Sequence, residues 1–170
     1  MQVLQNEIYT VNNPALGAYL LWKYAIAFRK NHCECQSSPA VLAFLVLPMI
    51  FHKPTLDFLQ STQARTGLAK FSEKFLNRDN QKSDLLLKIH NRAKEMRTIS
   101  LHSMKLAVSK RLIVLDPKTA RVIPYDENTI RKPKEIPTII GCMEKNSEKL
   151  GVWFAQNSLR DISFYLKVSF

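Results

Sequence analysis

Residues able to do chemistry are few in this chain, and their spacing argues against most chemistries. His32-Cys33-Glu34-Cys35 packs three metal-ligating side-chain types into four positions. A structural zinc needs four converging ligands, usually as two Cys or Cys/His pairs, and no second pair follows at a usable distance, so the segment reads as a surface loop. The other histidines, His52, His90 and His102, share no metalloprotease spacing, and no serine sits in a nucleophile elbow. The four glycines, Gly17, Gly67, Gly141 and Gly151, are too scattered for a phosphate-cradling loop. The expectation is a chain with no catalytic residues, no metal and no cofactor, and so not an enzyme.

Charge is the more informative signal. The 170 residues carry 25 Lys+Arg against 14 Asp+Glu, a formal +11. Of that excess +8 lies between Lys53 and Arg111, so the basic character is regional and invites an anionic partner. Lys88, Arg92, Lys94, Arg97, Lys105, Lys110 and Arg111 lie on successive expected helices, and Lys118 and Arg121 on the hairpin after them. These nine are the candidate DNA or anion contacts, arranged as a winged-helix DNA binder would present them. Asp84 and Glu95 interrupt the run, and no aromatic platform for single strands is interleaved, so an ordinary solvated face is the competing reading.

The elements that must position these residues are mainly helical. Asn12-Asn13-Pro14 gives a side-chain cap and a proline at the first helical position, and Ala15 to Phe28 is apolar on nearly all sides, as in a buried helix. His32 to Pro39 is turn-prone. Val41 to Phe51 is a second core helix, shorter than the ~20 residues needed to cross a bilayer, and Lys53-Pro54 opens a third. Leu68, Phe71 and Phe75 mark a half-buried helix, and Asn77 to Lys82 a polar loop. Leu86, Ile89, Ala93 and Met96 share one face of a helix running to Arg97. Ser100 is placed to cap the next helix, through Leu101, Met104 and Val108. Leu112 to Leu115 and Ala120 to Ile123 flank Asp116-Pro-Lys-Thr119 as a β-hairpin; Ala120 falls where many such turns place a left-handed glycine. Pro124 to Pro137 is a charged connector containing Arg131-Lys-Pro-Lys134. A long helix from Thr138 to about Gln156 follows, with Trp153 and Phe154, like Trp22, expected in the core. Ser158-Leu-Arg-Asp161 is a capping-box sequence opening a last short helix. Phe164, Tyr165, Val168 and Phe170 form an apolar tail suited either to packing on the body or to a partner, and they are the candidate partner interface.

The sum is a mainly α (α+β) single domain over residues 1–170, with one β-hairpin and winged-helix-like order. A helical body spans 1–111 with its basic region at 53–111, the hairpin spans 112–124, and C-terminal helices with the apolar tail span 138–170. Three cysteines, an odd number, and a start without a cationic head and apolar run fit a reducing cytoplasm and no membrane.

Three stretches together resemble a known family: Asn6-Glu-Ile-Tyr-Thr-Val-Asn-Asn-Pro-Ala-Leu-Gly-Ala-Tyr-Leu-Leu-Trp22, Leu45-Val-Leu-Pro-Met-Ile-Phe-His-Lys-Pro-Thr55, and Glu148-Lys-Leu-Gly-Val-Trp-Phe154 with the tail from Ser158 to Phe170. With Ile89-His-Asn-Arg92 and Leu115-Asp-Pro117 they are similar to the middle component of three-component ABC systems, prokaryotic anti-phage modules overlapping the Lamassu type. The resemblance implies a non-enzymatic subunit joining an SMC-like or ABC ATPase that senses DNA to an effector such as a nuclease. Two further readings compete: a free-standing winged-helix regulator, and an antitoxin-like neutraliser of one toxin.

Overall fold

The computed structural model describes residues 13–76, 79–126 and 137–170, with side chains at 75–85 outside the description. Helix α1 (Pro14–Asn31) starts where the sequence places it. Asn13 Oδ1 accepts a hydrogen bond from Ala15 N–H at 2.9 Å, Pro14 occupies the first turn, and Leu16–Ala18 and Leu20–Phe28 are buried. That a helix should be hidden on nearly every side makes it the axis of the molecule.

Strand β1 (Ser38–Pro39) leads into α2 (Ala40–Ile50), another buried helix, and α3 (Lys53–Gln60) leaves it at an angle of 96°. A 3₁₀ turn (Ala64–Thr66) precedes α4 (Gly67–Leu76). Helix α5 (Asp79–Glu95) follows, then α6 (Arg97–Ser109), the hairpin strands β2 (Ile113–Asp116) and β3 (Arg121–Pro124), α7 (Thr138–Ala155) and α8 (Leu159–Leu166). The protein is thus mainly α with a small antiparallel sheet, as its composition and periodicity imply.

The polar segment expected as a loop over 77–82 is helical from Asp79 onward, in a helix, α5, that Leu86 and Ile89 anchor in the core. Ser100 is not a cap. It lies fully buried inside α6, which starts at Arg97, and its N–H bonds to Met96 O at 3.0 Å. The Arg131 cluster of the charged connector lies outside the described residues.

The sheet gains a strand that sequence pattern missed. Its order is β1-β3-β2, all antiparallel, with Ser38 opposite Val122 and Leu115 opposite Val122 from the other side. Two residues ending in proline show no alternation, so β1 carries no periodic signal. What fixes it is tertiary: Tyr24 Oη and Ser38 Oγ are 2.6 Å apart in the core, and Ala40 N–H donates to Ala120 O at 2.8 Å. The hairpin turn holds Ala120 at φ 50, the left-handed conformation that such turns usually give to glycine.

Helices α1 and α7 cross at very close range. A Cβ on Gly151 would lie 2.5 Å from Tyr24 O and 2.9 Å from Phe28 N, so backbone meets backbone at the crossing. Ser147 Oγ donates to Leu20 O at 2.7 Å beside it. Gly17 makes room of a different kind between α1 and α6, where a Cβ would run into the Ser103 side chain. Trp153 and Phe154 are buried, with Trp153 Nε1 donating to Ala64 O at 2.6 Å.

Candidate interaction surfaces

The basic cluster divides once the helices are folded. Seven of the nine candidates, Lys88, Lys94, Arg97, Lys105, Lys110, Arg111 and Lys118, have exposed side chains. Arg92 and Arg121 are half-buried and turned to the protein. Arg92 donates to Thr55 Oγ1 at 3.0 Å and to Pro48 O at 3.5 Å, tying α5 to the α2–α3 corner. Its partial burial lowers its pKa. His52 completes the corner, with Nδ1 2.8 Å from Thr55 Oγ1; burial first, and the neighbouring Arg92 charge second, lower its pKa as well. Arg121 donates to Ser37 O, bracing β3 against the entry to β1.

Helix α6 presents a clear division of faces. Ser100, Ser103, Met104 and Ala107 are buried, while Arg97, Thr98, Leu101, His102, Lys105 and Val108 are exposed on the opposite arc. The helix contains no acidic residue. It ends in a Schellman motif: Leu112 N–H donates to Ala107 O at 2.8 Å, Arg111 N–H donates to Val108 O at 3.0 Å, and Arg111 sits at φ 55. The motif turns the chain sharply from α6 into β2, fixing helix and hairpin as neighbours. Within the hairpin turn Asp116 accepts from Lys118 N–H at 3.0 Å and from the Thr119 hydroxyl, and these bonds, the Thr119 one foremost, hold its carboxyl below the usual range.

The C-terminal end is the second surface. Ser158 and Asp161 form the expected capping box, and α8 packs on α4 through Ser72 Oγ, which donates to Tyr165 O at 2.7 Å. Ile162, Leu166 and Val168 are buried, whereas Phe164 and Phe170 are 66% and 52% exposed and Tyr165 is half-buried. The tail therefore divides: one side docks on the body, and the other leaves two aromatic rings exposed to solvent. Lys167 Nζ lies 4.2 Å from the Phe164 ring centre.

Pattern reasoning passed over two polar sites. Lys23, 3% exposed within α1, pairs with Glu144 at 2.8 Å and Glu148 at 3.6 Å. The signal was present: one lysine inside a run of apolar residues, and two glutamates spaced i, i+4 on the helix that crosses it. The Tyr19 phenol beside this group is pushed up to about 12, by burial first and by its hydrogen bond to Glu144 second. Lys149 Nζ donates to Leu59 O and Thr62 O, both at 2.7 Å, closing the carboxyl end of α3. In each site a structural task uses up the charge.

His32, Cys33 and Cys35 remain in the loop after α1, where His32 Nδ1 accepts from Glu34 N–H at 3.2 Å and both cysteines are exposed. Among the described residues no group of three or more His, Cys, Asp or Glu side chains is placed to hold a metal ion, and no single helix is long and apolar enough to cross a membrane.

Fold and surfaces define a mainly helical protein, with a small sheet, whose most distinctive exposed features are a basic helix face and an aromatic end. The chain belongs to the family described as ABC-three component (ABC-3C) system Middle Component 3, whose model matches residues 1–170. It is accordingly a subunit of a multi-component system. No curated protein and no solved structure matches it.

Proposed function

We propose that this chain is the non-enzymatic adaptor of its three-component system, an anti-phage module in which it joins an SMC-like or ABC ATPase that senses DNA to a nuclease or other effector, with a supporting DNA contact of its own. The observation that carries the reading is the C-terminal end. Helix α8 is capped, anchored through Ile162, Leu166 and Val168, and still holds Phe164 and Phe170 in water. Burying a Phe side chain stabilises by roughly 1.5–3 kcal/mol, and rigid aromatic anchors are the typical centres of protein interfaces. Two such rings held on an ordered end are what a partner component would cover. The adaptor works in the cytoplasm, beside the DNA its ATPase partner engages.

The test is co-expression of the tagged chain with its genomic neighbours. The wild-type chain is expected to elute with both at physiological salt, and Phe164→Glu with Phe170→Glu to lose at least one of them while keeping its melting temperature. Elution of the wild-type chain alone contradicts the proposal. A free-standing DNA-binding regulator is the second reading, favoured by the sheet order β1-β3-β2 with β1 lying between the first two helices; it predicts solitary elution together with tight duplex binding.

A further inference from the structure

The supporting DNA contact can be assigned to one element. We infer that α6 is a groove-reading helix and the β2–β3 turn its flanking wing, together forming a site for double-stranded DNA; the inference rests on the adaptor reading only for its biological setting.

Four observations converge on this site. The order α1–β1–α2, later α6, then β2–β3, with β1 pairing β3, is that of a winged helix, in which the helix before the hairpin enters the major groove and the hairpin tip reaches the backbone beside it. Helices α3, α4 and α5 are inserted between the two helices of the motif without displacing α6, because Ser100, Ser103, Met104 and Ala107 seat it against the core. The outward arc of α6 is basic and free of acids, and its thirteen residues make roughly 20 Å of helix whose diameter, about 10–12 Å with side chains, matches a groove about 12 Å wide. Finally, Lys118 stands exposed at the tip, while the neighbouring carboxylate of Asp116 accepts the hydrogen bonds of its own turn and is oriented by them.

The side chains sort by role. Arg97, Lys105, Lys110 and Lys118 are placed for phosphates. Leu101, 38% exposed, suits a thymine methyl, and His102 a base edge. An acidic protein helix would match the same charges; the mixture of cations with isolated polar and aliphatic groups on one arc, lacking an aromatic anchor, favours duplex DNA. Arg92 and Arg121 drop out of the contact set, since both are engaged with the protein.

Binding of the purified full-length chain to a labelled 20-bp duplex, followed by fluorescence anisotropy across salt concentrations, tests this directly. Four phosphate contacts predict a slope of log K against log salt near −3.6, a loss of about 150-fold between 50 and 200 mM. Arg97→Ala with Lys105→Ala is expected to halve the slope, leaving a loss of about 12-fold over the same range. The exposed pair Lys70→Ala with Lys145→Ala, elsewhere on the surface, is expected to leave the slope near its wild-type value. The inference is overturned if that second pair lowers the slope as much as the first, or if duplex binding is absent or insensitive to salt. It is equally overturned if the α6 pair loses co-eluting partners with duplex binding unchanged, which makes the face a protein interface. Failure of the wild-type chain to co-elute at all removes the adaptor reading and leaves this one standing on the duplex data.

Discussion

The crossing of α1 and α7 offers a perturbation whose magnitude follows from geometry. Gly151→Ala adds one methyl group at a point where the new carbon lies 2.5 Å from Tyr24 O, 2.9 Å from Ala27 Cβ and 2.9 Å from Phe28 N. Ordinary contact begins near 3.4 Å. Two of the three obstructing atoms are backbone of a helix buried along nearly its whole length, so no side chain can rotate away; the helices must separate or the backbone must bend. Overpacking a tight core costs about 1–3 kcal/mol, and the rigid surroundings place this site at the upper end. Alanine in place of a helical glycine returns about 1 kcal/mol. The net expectation is a loss of about 2 kcal/mol, a fall in Tm of roughly 4–8 °C for a chain of this size. Separation would also stretch the Ser147–Leu20 hydrogen bond and the Lys23–Glu144 pair, both of which span the same crossing. Thermal unfolding followed by far-ultraviolet circular dichroism, with near-ultraviolet signal reporting Trp153, measures both effects. A Gly151→Ala protein as stable as wild type, or more so, would refute the reasoning, since propensity would then have outweighed the clash.

The remaining predictions concern strain, a buried cation and pH. Ala120→Gly should stabilise by about 0.5–1 kcal/mol in urea titrations, because Ala120 holds φ 50 in the hairpin turn and glycine adopts that conformation without a Cβ penalty. Arg92→Ala should destabilise by about 2 kcal/mol, leaving Thr55 without its charged donor, whereas Lys88→Ala, one turn earlier and exposed, should be nearly neutral; equal effects on the urea midpoint would contradict the division drawn between them. His52 has its pKa lowered in the folded protein, so the unfolded chain takes up its proton first as pH falls. Stability should therefore be fully present above the ordinary histidine value of about 6.5 and decline below it, and the decline should be smaller in His52→Gln; an unchanged pH profile in that variant contradicts the assignment.

Much of the fold was legible because the strongest signals are local. Asn13-Pro14 and Ser158 to Asp161 are caps whose hydrogen bonds involve neighbours in sequence, and both form as expected. The hairpin was legible for the same reason, whereas its turn type was not, because alanine stands at the left-handed position where glycine is usual. What escaped is decided by distant contacts. Strand β1 exists through Tyr24, Ala120 and β3, and the break between α5 and α6, expected with a cap at Ser100, falls instead at Met96, where neither glycine nor proline marks it.

Charge was legible as a region and illegible as a surface. Counting lysines and arginines located the excess between Lys53 and Arg111, but could not separate Arg97, which is exposed, from Arg92, which is bonded inward. A finer reading was available: Arg92 stands three residues after Ile89 and four before Met96, at the border of the apolar face of α5. The tail divided likewise. Spacing grouped Phe164, Tyr165, Val168 and Phe170 as one apolar set, while the left-handed turn at Lys167 sends Val168 inward and leaves Phe170 outside.

The central claim is that this subunit joins two others, and reconstitution tests it most directly. The ATPase and effector that the proposal assigns to this system are purified, mixed with and without the chain, and resolved by size-exclusion chromatography at physiological salt. The account predicts one complex of all three components when the chain is present, and separate ATPase and effector peaks when it is left out. Association of ATPase and effector to the same extent in both mixtures would contradict it.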